Sequence, residues 1–547
     1  MIISFISSLI SQTPDQYSLS SNSLRRFDGI SIKDALPSNV IVDIHKYGDS
    51  LYFFGTGSGL SFGELSNDGT INFGYFSLTE MPSGGNPALA VFNDIIAVSG
   101  IIDTNVITGS ESKGTGISYS EDGGNNWEYL SQPVDPDSVY FNLDHETCIA
   151  NNYDWDEIDS ICFSNKYWEI SWGEQDVKSL LASSEINNVT YDLSINGDYI
   201  YAASWAGGIR RYPLNPQVNG GSRDWEIIIL PRDEDLGLDC SVELDSTYML
   251  NPRDPKDGGN HNHKGFSVYV QNEIIWAGTA GGINKGIVNG NCVDWIGHYT
   301  SLLNNISGNW VIGFTQQILD DGSEKFWAIT WATEDYESYA LSYTEDGGEN
   351  WHITSPSGYS EKVYNLHTQG NRIWAASESG LFVSEDGKHW EKYSNPIDNL
   401  TGEVILSESV LAVYHDNNQL LIGTTDGIGI IRDEAGMSTT IHRFWESAAP
   451  FSVYPNPFLI NDYNVIGNDG HVRFIYSNPN TYYGKIDVFD FSMDKVVRLD
   501  NAITIDGENE IIWDGRNEYG NKVANGVYFC RLSLGGKYYW TKLAVIN

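Results

Sequence analysis

Carboxylates dominate the reactive side chains of this chain, and three of them recur inside one spelling. SEDGGNNW runs from Ser120 to Trp127, TEDGGENW from Thr344 to Trp351 and SEDGKHW from Ser384 to Trp390. An acid and an Asp beside glycine could hold a cation, or the Asp could fasten a turn. Each copy follows a short alternating segment (GISYS, ALSYT, GLFVS) and precedes another (WEYL, WHIT, WEKYS), which predicts the tip of a β-hairpin. There Asp122, Asp346 and Asp386 accept hydrogen bonds from turn amides, and Gly124, Gly348 and Gly387 supply positive φ. Trp127, Trp351 and Trp390 open the return strands with a large apolar face for packing between sheets.

Other chemistry is sparse. HNH at His261–His263 has alternate histidines, but its Gly/Asn/Asp-rich surroundings read as loop, and no metal is assigned. DEDLGLD and DWDEID lack the Asp-x-Asp-x-Asp-Gly spacing with a distal Glu, so calcium has no motif behind it and no cofactor is expected. No phosphate-cradling glycine loop, nucleophile elbow or zinc-binding helix is visible. With 73 Asp and Glu residues, the presence of two carboxylates does not identify a glycosidase.

The formal net charge is −42, and only −2 of it lies between Ala449 and the C-terminus. Such a field disfavours nucleic acid and anionic membrane surfaces. MIISFISSLISQ (1–12) is apolar and Ser-rich but too short to span a bilayer; it reads as a signal peptide with its true start missing, or as an apolar first strand. No transmembrane anchor is expected. Among five cysteines, Cys148 and Cys162 bracket one irregular segment and Cys240 and Cys292 another. Two local disulfides would suit an exported protein and leave Cys530 as a buried thiol.

The elements that must position these residues repeat. An apolar strand, a small Gly/Ala-Ser/Thr pair, a glycine loop and a second strand recur as LYFFGTGSGLSF, YIYAASWAGGIRRY, IIWAGTAGGINKG, FWAITWATED, RIWAASESGLFVS and LLIGTTDGIGII, with a looser copy at DIIAVSG. Aligned on this phrase, seven units appear at 38–78, 85–131, 187–228, 262–300, 307–355, 361–395 and 403–446. Four strands each at this period predict an all-β chain with a seven-bladed β-propeller over 25–446. RRFDG (25–29) or its neighbours could close the ring. Insertions at 132–186 and 229–261 are too long for simple turns. Residues 450–547 carry a separate strand pattern that suits an immunoglobulin-like sandwich.

The three Asp turns resemble the Asp-box, or BNR, repeats of sialidases, sortilin-type propellers and related secreted propellers. That resemblance implies a structural role on the rim away from the ligand face. It does not extend to sialidase chemistry: Arg210, Arg211, Arg223, Arg372, Arg432 and Arg443 do not reproduce that family's early arginine motif. YPNPF (Tyr454–Phe458), Ile486–Leu499, Trp513–Leu532 and the terminal TKLAVIN resemble the Ig-like domain of flagellar hook-capping proteins and the C-terminal sorting domains of type IX secretion. This implies export machinery as a partner, and a secreted or outer-surface location on a bacterium. The WDGRN form leaves open whether the tail is cleaved or permanent.

Strand parity puts the loops of the repeated phrase, and both insertions, on the face opposite the Asp turns. That face is expected to present Trp205, Trp331, Glu334, Asp335, Glu378 and Asp426. Aromatics beside carboxylates suit an extracellular glycan or protein ligand; alternatively either Trp is covered and only packs. The expected function is non-catalytic binding, with an extracellular glycoside hydrolase and a structural surface-layer component as the rival classes.

Overall fold

The computed structural model describes residues 36–547, apart from 67–68, 107–108, 137–139, 142–165, 182–183, 216–222, 245–247, 254, 258, 399–402, 417–418, 433–437, 445–450, 462–464, 466–468, 479–480, 501–506 and 547. The proposed signal segment, RRFDG, the Cys148/Cys162 pair and the 446–450 boundary therefore lie outside the described residues.

The chain is all-β. Among the described residues, seven four-stranded antiparallel sheets follow one another at 41–75, 89–130, 190–228, 265–299, 310–354, 363–392 and 410–442, each with its strands in chain order. The first strand of every sheet packs against the first strands of its two neighbours, and Val410–His415 of the last meets Ile41–Tyr47 of the first. The sheets thus form a closed ring around their first strands. Among the described residues sheets one and seven share no strand; the Gly427 amide donates to the Asn39 carbonyl (2.8 Å), and side chains add further links. Asp416 accepts hydrogen bonds from Lys46 Nζ (2.8 Å) and Tyr52 Oη (2.5 Å), and Asn39 bonds both the amide and the carbonyl of Phe444.

The repeated sequence phrase has a physical cause at each of its positions. Its Gly or Ala lies where neighbouring sheets approach: a Cβ on Gly278 would stand 2.5 Å from the Val311 carbonyl, and one on Gly55 2.8 Å from that of Asn86. The hydroxyl that follows caps the next turn. Thr56, Thr279, Ser377 and Thr424 each donate to the carbonyl of the glycine three residues on.

The Asp turns are built as their composition requires. Asp346 Oδ1 accepts from the Thr344 hydroxyl (2.8 Å) and the Asn350 amide (2.9 Å), while Oδ2 takes the Asn350 side chain (2.7 Å). Asp122 and Asp386 repeat the arrangement with Ser120, Asn126 and with Ser384, His389. These bonds favour the ionised form and pull Asp122 and Asp346 down to about 2. Trp127 and Trp351 are buried behind their turns, and Trp390 donates to the Thr354 hydroxyl.

The two insertions meet each other. Gln175–Leu180 of the first pairs in parallel with Met249–Leu250 of the second, within a small extra sheet. Trp172 and Val177 share a core with Ile228 and Trp295 of the ring. A disulfide from Cys240 to Cys292 ties the second insertion to the fourth sheet.

After the ring come a three-stranded sheet (451–454, 472–478, 507–513) and a five-stranded sheet (458–459, 485–489, 495–500, 526–534, 537–546). Phe458, Phe474, Trp513 and Leu532 fill the core between them. Cys530 lies in that core as a free thiol, which burial pushes up to about 12.

Candidate functional site

Two regions of the ring gather polar side chains: the face opposite the Asp turns, and the channel along the ring axis.

On the face, the six sequence candidates do not converge. Trp205 is packed against Phe266 and Trp310, with ring centroids 5.0 and 6.0 Å away, and Lys264 Nζ lies 5.0 Å from its own centroid. Trp331 is buried, donates from Nε1 to the Val363 carbonyl (2.9 Å) and meets Tyr339 and Tyr364. Both indoles are core between sheets, because the next sheet's entry strand folds over them. Glu334, Asp335 and Glu378 are exposed, the first two in the loop after Trp331 and the third one sheet further round.

Asp426 is placed differently again. It is fully buried beneath the C-terminal sandwich, between Arg443 of its own sheet (3.2 Å) and Arg473 of the tail (2.6 Å). Both guanidiniums also donate to the Val404 carbonyl at 2.6 Å, and Arg473 reaches Glu510 at 2.7 Å. Burial by itself would raise the Asp426 carboxyl; the two guanidiniums reverse that and hold it below the usual range. Its task is to anchor the tail.

What remains open on this face surrounds the fifth sheet. Leu302, Leu303, Tyr336 and Tyr359 are 74%, 65%, 59% and 85% exposed. Their three segments are tied together: the Ser301 hydroxyl donates to Glu337 (2.6 Å), the Ser338 amide to Ser307 O (2.9 Å) and the Tyr339 amide to Ser360 Oγ (3.1 Å). Glu334 and Asp335 stand beside Tyr336 in the same loop. Sequence reasoning reached the two acids but not the tyrosines, which belong to no repeated phrase.

The channel encloses about 680 Å³. Six of the seven first strands carry a bulge at the same place, just before Asp43, Asp192, Ser267, Gly313, Asn365 and Ala412. A bulge re-aims the residues around it, and here Val42, Tyr191, Ile312, Tyr364 and Leu411 line the cavity. Below them the wall stitches sheet to sheet. Asp192 Oδ2 accepts from the Val268 amide (2.9 Å), Ser194 Oγ from the Val270 amide (3.0 Å), and the Thr368 hydroxyl donates to Gln316 O (2.9 Å). These bonds occupy strand edges that the ring would otherwise leave unpaired.

Asp43, His45 and Asp192 form the titratable part of the wall. His45 Nε2 lies 3.3 Å from Asp43 Oδ1. Burial works against the imidazolium, yet Asp43 prevails and raises His45. Asp192 is raised to about 7, chiefly by enclosure and then by the charge of Asp43, against the two amide hydrogen bonds it accepts. The sequence signal was available: VDIH and YDLS each put an Asp at the third position of a first strand.

Among the described residues no group of three or more His, Cys, Asp or Glu side chains is placed to hold a metal ion. In the HNH segment, the His261 and Asn262 amides donate to Asp233 (3.0 and 2.7 Å), and burial lowers His263 to about 4. No helix among the described residues is long and apolar enough to cross a membrane.

No protein-family model matches the chain, and no curated relative matches it. Solved structures with a similar course include β-propeller proteins. PorZ, an essential surface component of the type-IX secretion system of Porphyromonas gingivalis, is 12% identical at a TM-score of 0.39, over 94% of this chain and 66% of PorZ. The chain therefore spans 66% of PorZ's length. The WD40 β-propeller domain of Doa1 is 11% identical at a TM-score of 0.38, over 73% of this chain and 95% of that one. The extracellular domain of a one-component system from B. thetaiotaomicron, BT4673, is 11% identical at a TM-score of 0.30, over 94% and 81%. Likeness at this level says nothing of function, which has to come from the chain's own residues.

Proposed function

We propose that the chain is a secreted or surface-displayed seven-bladed β-propeller that binds a glycan or protein without catalysis. In this reading the Asp turns are Asp-box fasteners, and the C-terminal Ig-like sandwich is a type IX-like export domain retained after secretion. The observation that carries the binding function is the open patch around the fifth sheet. Two tyrosines and two leucines stand in water beside Glu334 and Asp335, on three segments that hydrogen bonds hold together. Exposed aromatics rimmed by carboxylates mark a binding surface, and Glu378 extends it.

Retention of the tail is supported by the Asp426 clasp, since its removal would expose a buried charge cluster. The extracellular setting is supported by the Cys240–Cys292 disulfide. Binding of the full chain to arrays of neutral glycans and of extended peptides tests the reading. Tyr336→Ala with Tyr359→Ala should weaken any captured ligand about tenfold or more; unchanged binding would overturn the placement.

A hydrolase reading rests on one separate observation, the Asp43–Asp192 pair facing the channel with Asp192 raised to about 7, as a general acid requires. Turnover of any polysaccharide that Asp192→Asn abolishes would replace the non-catalytic reading.

A further inference from the structure

The tail's five-stranded sheet carries a surface that neither its own core nor the ring uses. Cross-strand pairing sets outward side chains in rows: Arg498, Asp487, Arg531 and Trp540 in one, then Lys495, Phe489, Phe529 and Lys542. The Arg531 guanidinium sits 5.0 Å from the Tyr538 ring centroid, 5.2 Å from Phe489 and 5.7 Å from Trp540. Asp487 holds Arg531 and Arg498 at 2.7 Å each, fixing both cations within the patch. Trp540 is 49% and Tyr538 65% exposed. Rigid aromatics interleaved with arginine are the composition of a protein interface core.

The face points away from the ring. Arg473, which enters the ring at Asp426, lies on the outer side of the opposite, three-stranded sheet, so the five-stranded sheet forms the distal side of the sandwich.

The other end of the molecule has the opposite sign. Turns between first and second strands share an end with the Asp turns, as the Gly123 amide bonded to the Asp94 carbonyl records (2.9 Å). Asp49, Asp94, Asp198, Glu273 and Asp320 are exposed there. The Asp-turn carboxylates beside them are kept ionised by their hydrogen bonds.

We propose that the cationic aromatic face of the tail docks on the acidic turn face of a second copy. Two different patches make a head-to-tail contact that does not close on itself, so it extends into a linear array. At about 0.15 M salt, where the Debye length is about 8 Å, repulsion between the net charges of two copies is largely screened and the opposite charges at the contact decide.

Sedimentation velocity of the full chain at about 0.15 M salt should show a concentration-dependent series beyond the dimer that collapses near 1 M. Trp540→Ala with Lys542→Glu, and separately Asp198→Lys with Glu273→Lys, should each weaken association about tenfold while leaving the melting temperature unchanged. Mixing the two variants should yield a dimer that grows no further, because each supplies the one intact patch the other needs. A chain that stays monomeric throughout overturns the proposal. So does association insensitive to Asp198 and Glu273, which would mean a tail-to-tail pair. Retention of a monomeric chain on polygalacturonate, lost with Trp540→Ala, would instead assign the face to an acidic glycan. Ligand capture at the fifth sheet is a separate matter: assembly without glycan or peptide binding sinks that reading and leaves this one standing.

Discussion

Asp426 and Arg473 are 47 residues apart in sequence, yet their side chains meet at 2.6 Å with neither exposed to solvent. A buried carboxylate between two arginines makes the junction between ring and tail all-or-none. Either all the charges are paired, or one is left uncompensated in a medium that solvates it poorly.

Arg473→Met leaves Asp426 facing Arg443 alone and frees the Val404 carbonyl of one donor. The expected cost is about 3 kcal/mol, at the lower end for breaking a buried pair. The tail should then melt separately and become sensitive to protease while the ring persists. A single unchanged transition would show that the sandwich is held by something else.

The Asp turns should give a distinct acid signature. Asp122 and Asp346 lie near 2 in the folded chain against an ordinary value of 3.8. Their contribution is therefore complete above 3.8 and disappears as pH falls toward 2. A triple Asp122→Asn, Asp346→Asn, Asp386→Asn variant should be less stable than the wild type at neutral pH. Its stability should also fall less steeply across that window; parallel acid-denaturation curves would refute the fastener role.

Asp192 has the opposite sign. Its folded value is raised to about 7 from 3.8, so the protonated folded form is favoured. The stability linked to it is complete below 3.8 and lost as pH rises through about 7. Asp192→Asn should gain in denaturant midpoint over the wild type near pH 8 relative to near pH 4. An equal difference at both would remove the titration from the account.

Cutting the Cys240–Cys292 bond closes a different question. It spans 52 residues, and the chain-entropy estimate for a loop of that length is about 4 kcal/mol. Cys240→Ala with Cys292→Ala should lower the melting temperature and open the second insertion to protease, leaving the sandwich intact. Unchanged proteolysis of residues 229–261 would mean that packing around Trp172 and Trp295 suffices.

How much was legible follows from the range of each interaction. The Asp turns close within eight residues, and every donor to the three aspartates comes from the same hairpin. The repeated phrase was legible for the same reason: its hydroxyl bonds a carbonyl three residues away. Its small residue also announces a close sheet-to-sheet contact, which at Gly55 and Gly278 is too tight for any Cβ. Alternation of apolar and polar residues, with periodic turns, was enough to predict an all-β chain.

Tertiary structure decided which side chains reach solvent. Trp205 and Trp331 have the same local surroundings whether open or covered; the entry strand of the next sheet covers them. Asp426 read as a surface acid until Arg473, from another unit of the chain, occupied it. Tyr336 and Tyr359 meet around the fifth sheet alone, whereas the Asp43–His45–Asp192 wall comes together only through the ring, because Asp43 and Asp192 lie on sheets far apart in sequence. Local hydrogen bonds and packing periods are written in short stretches of residues. The desolvation and pairing of charge depend on which distant segments arrive, and that the ring and its tail alone determine.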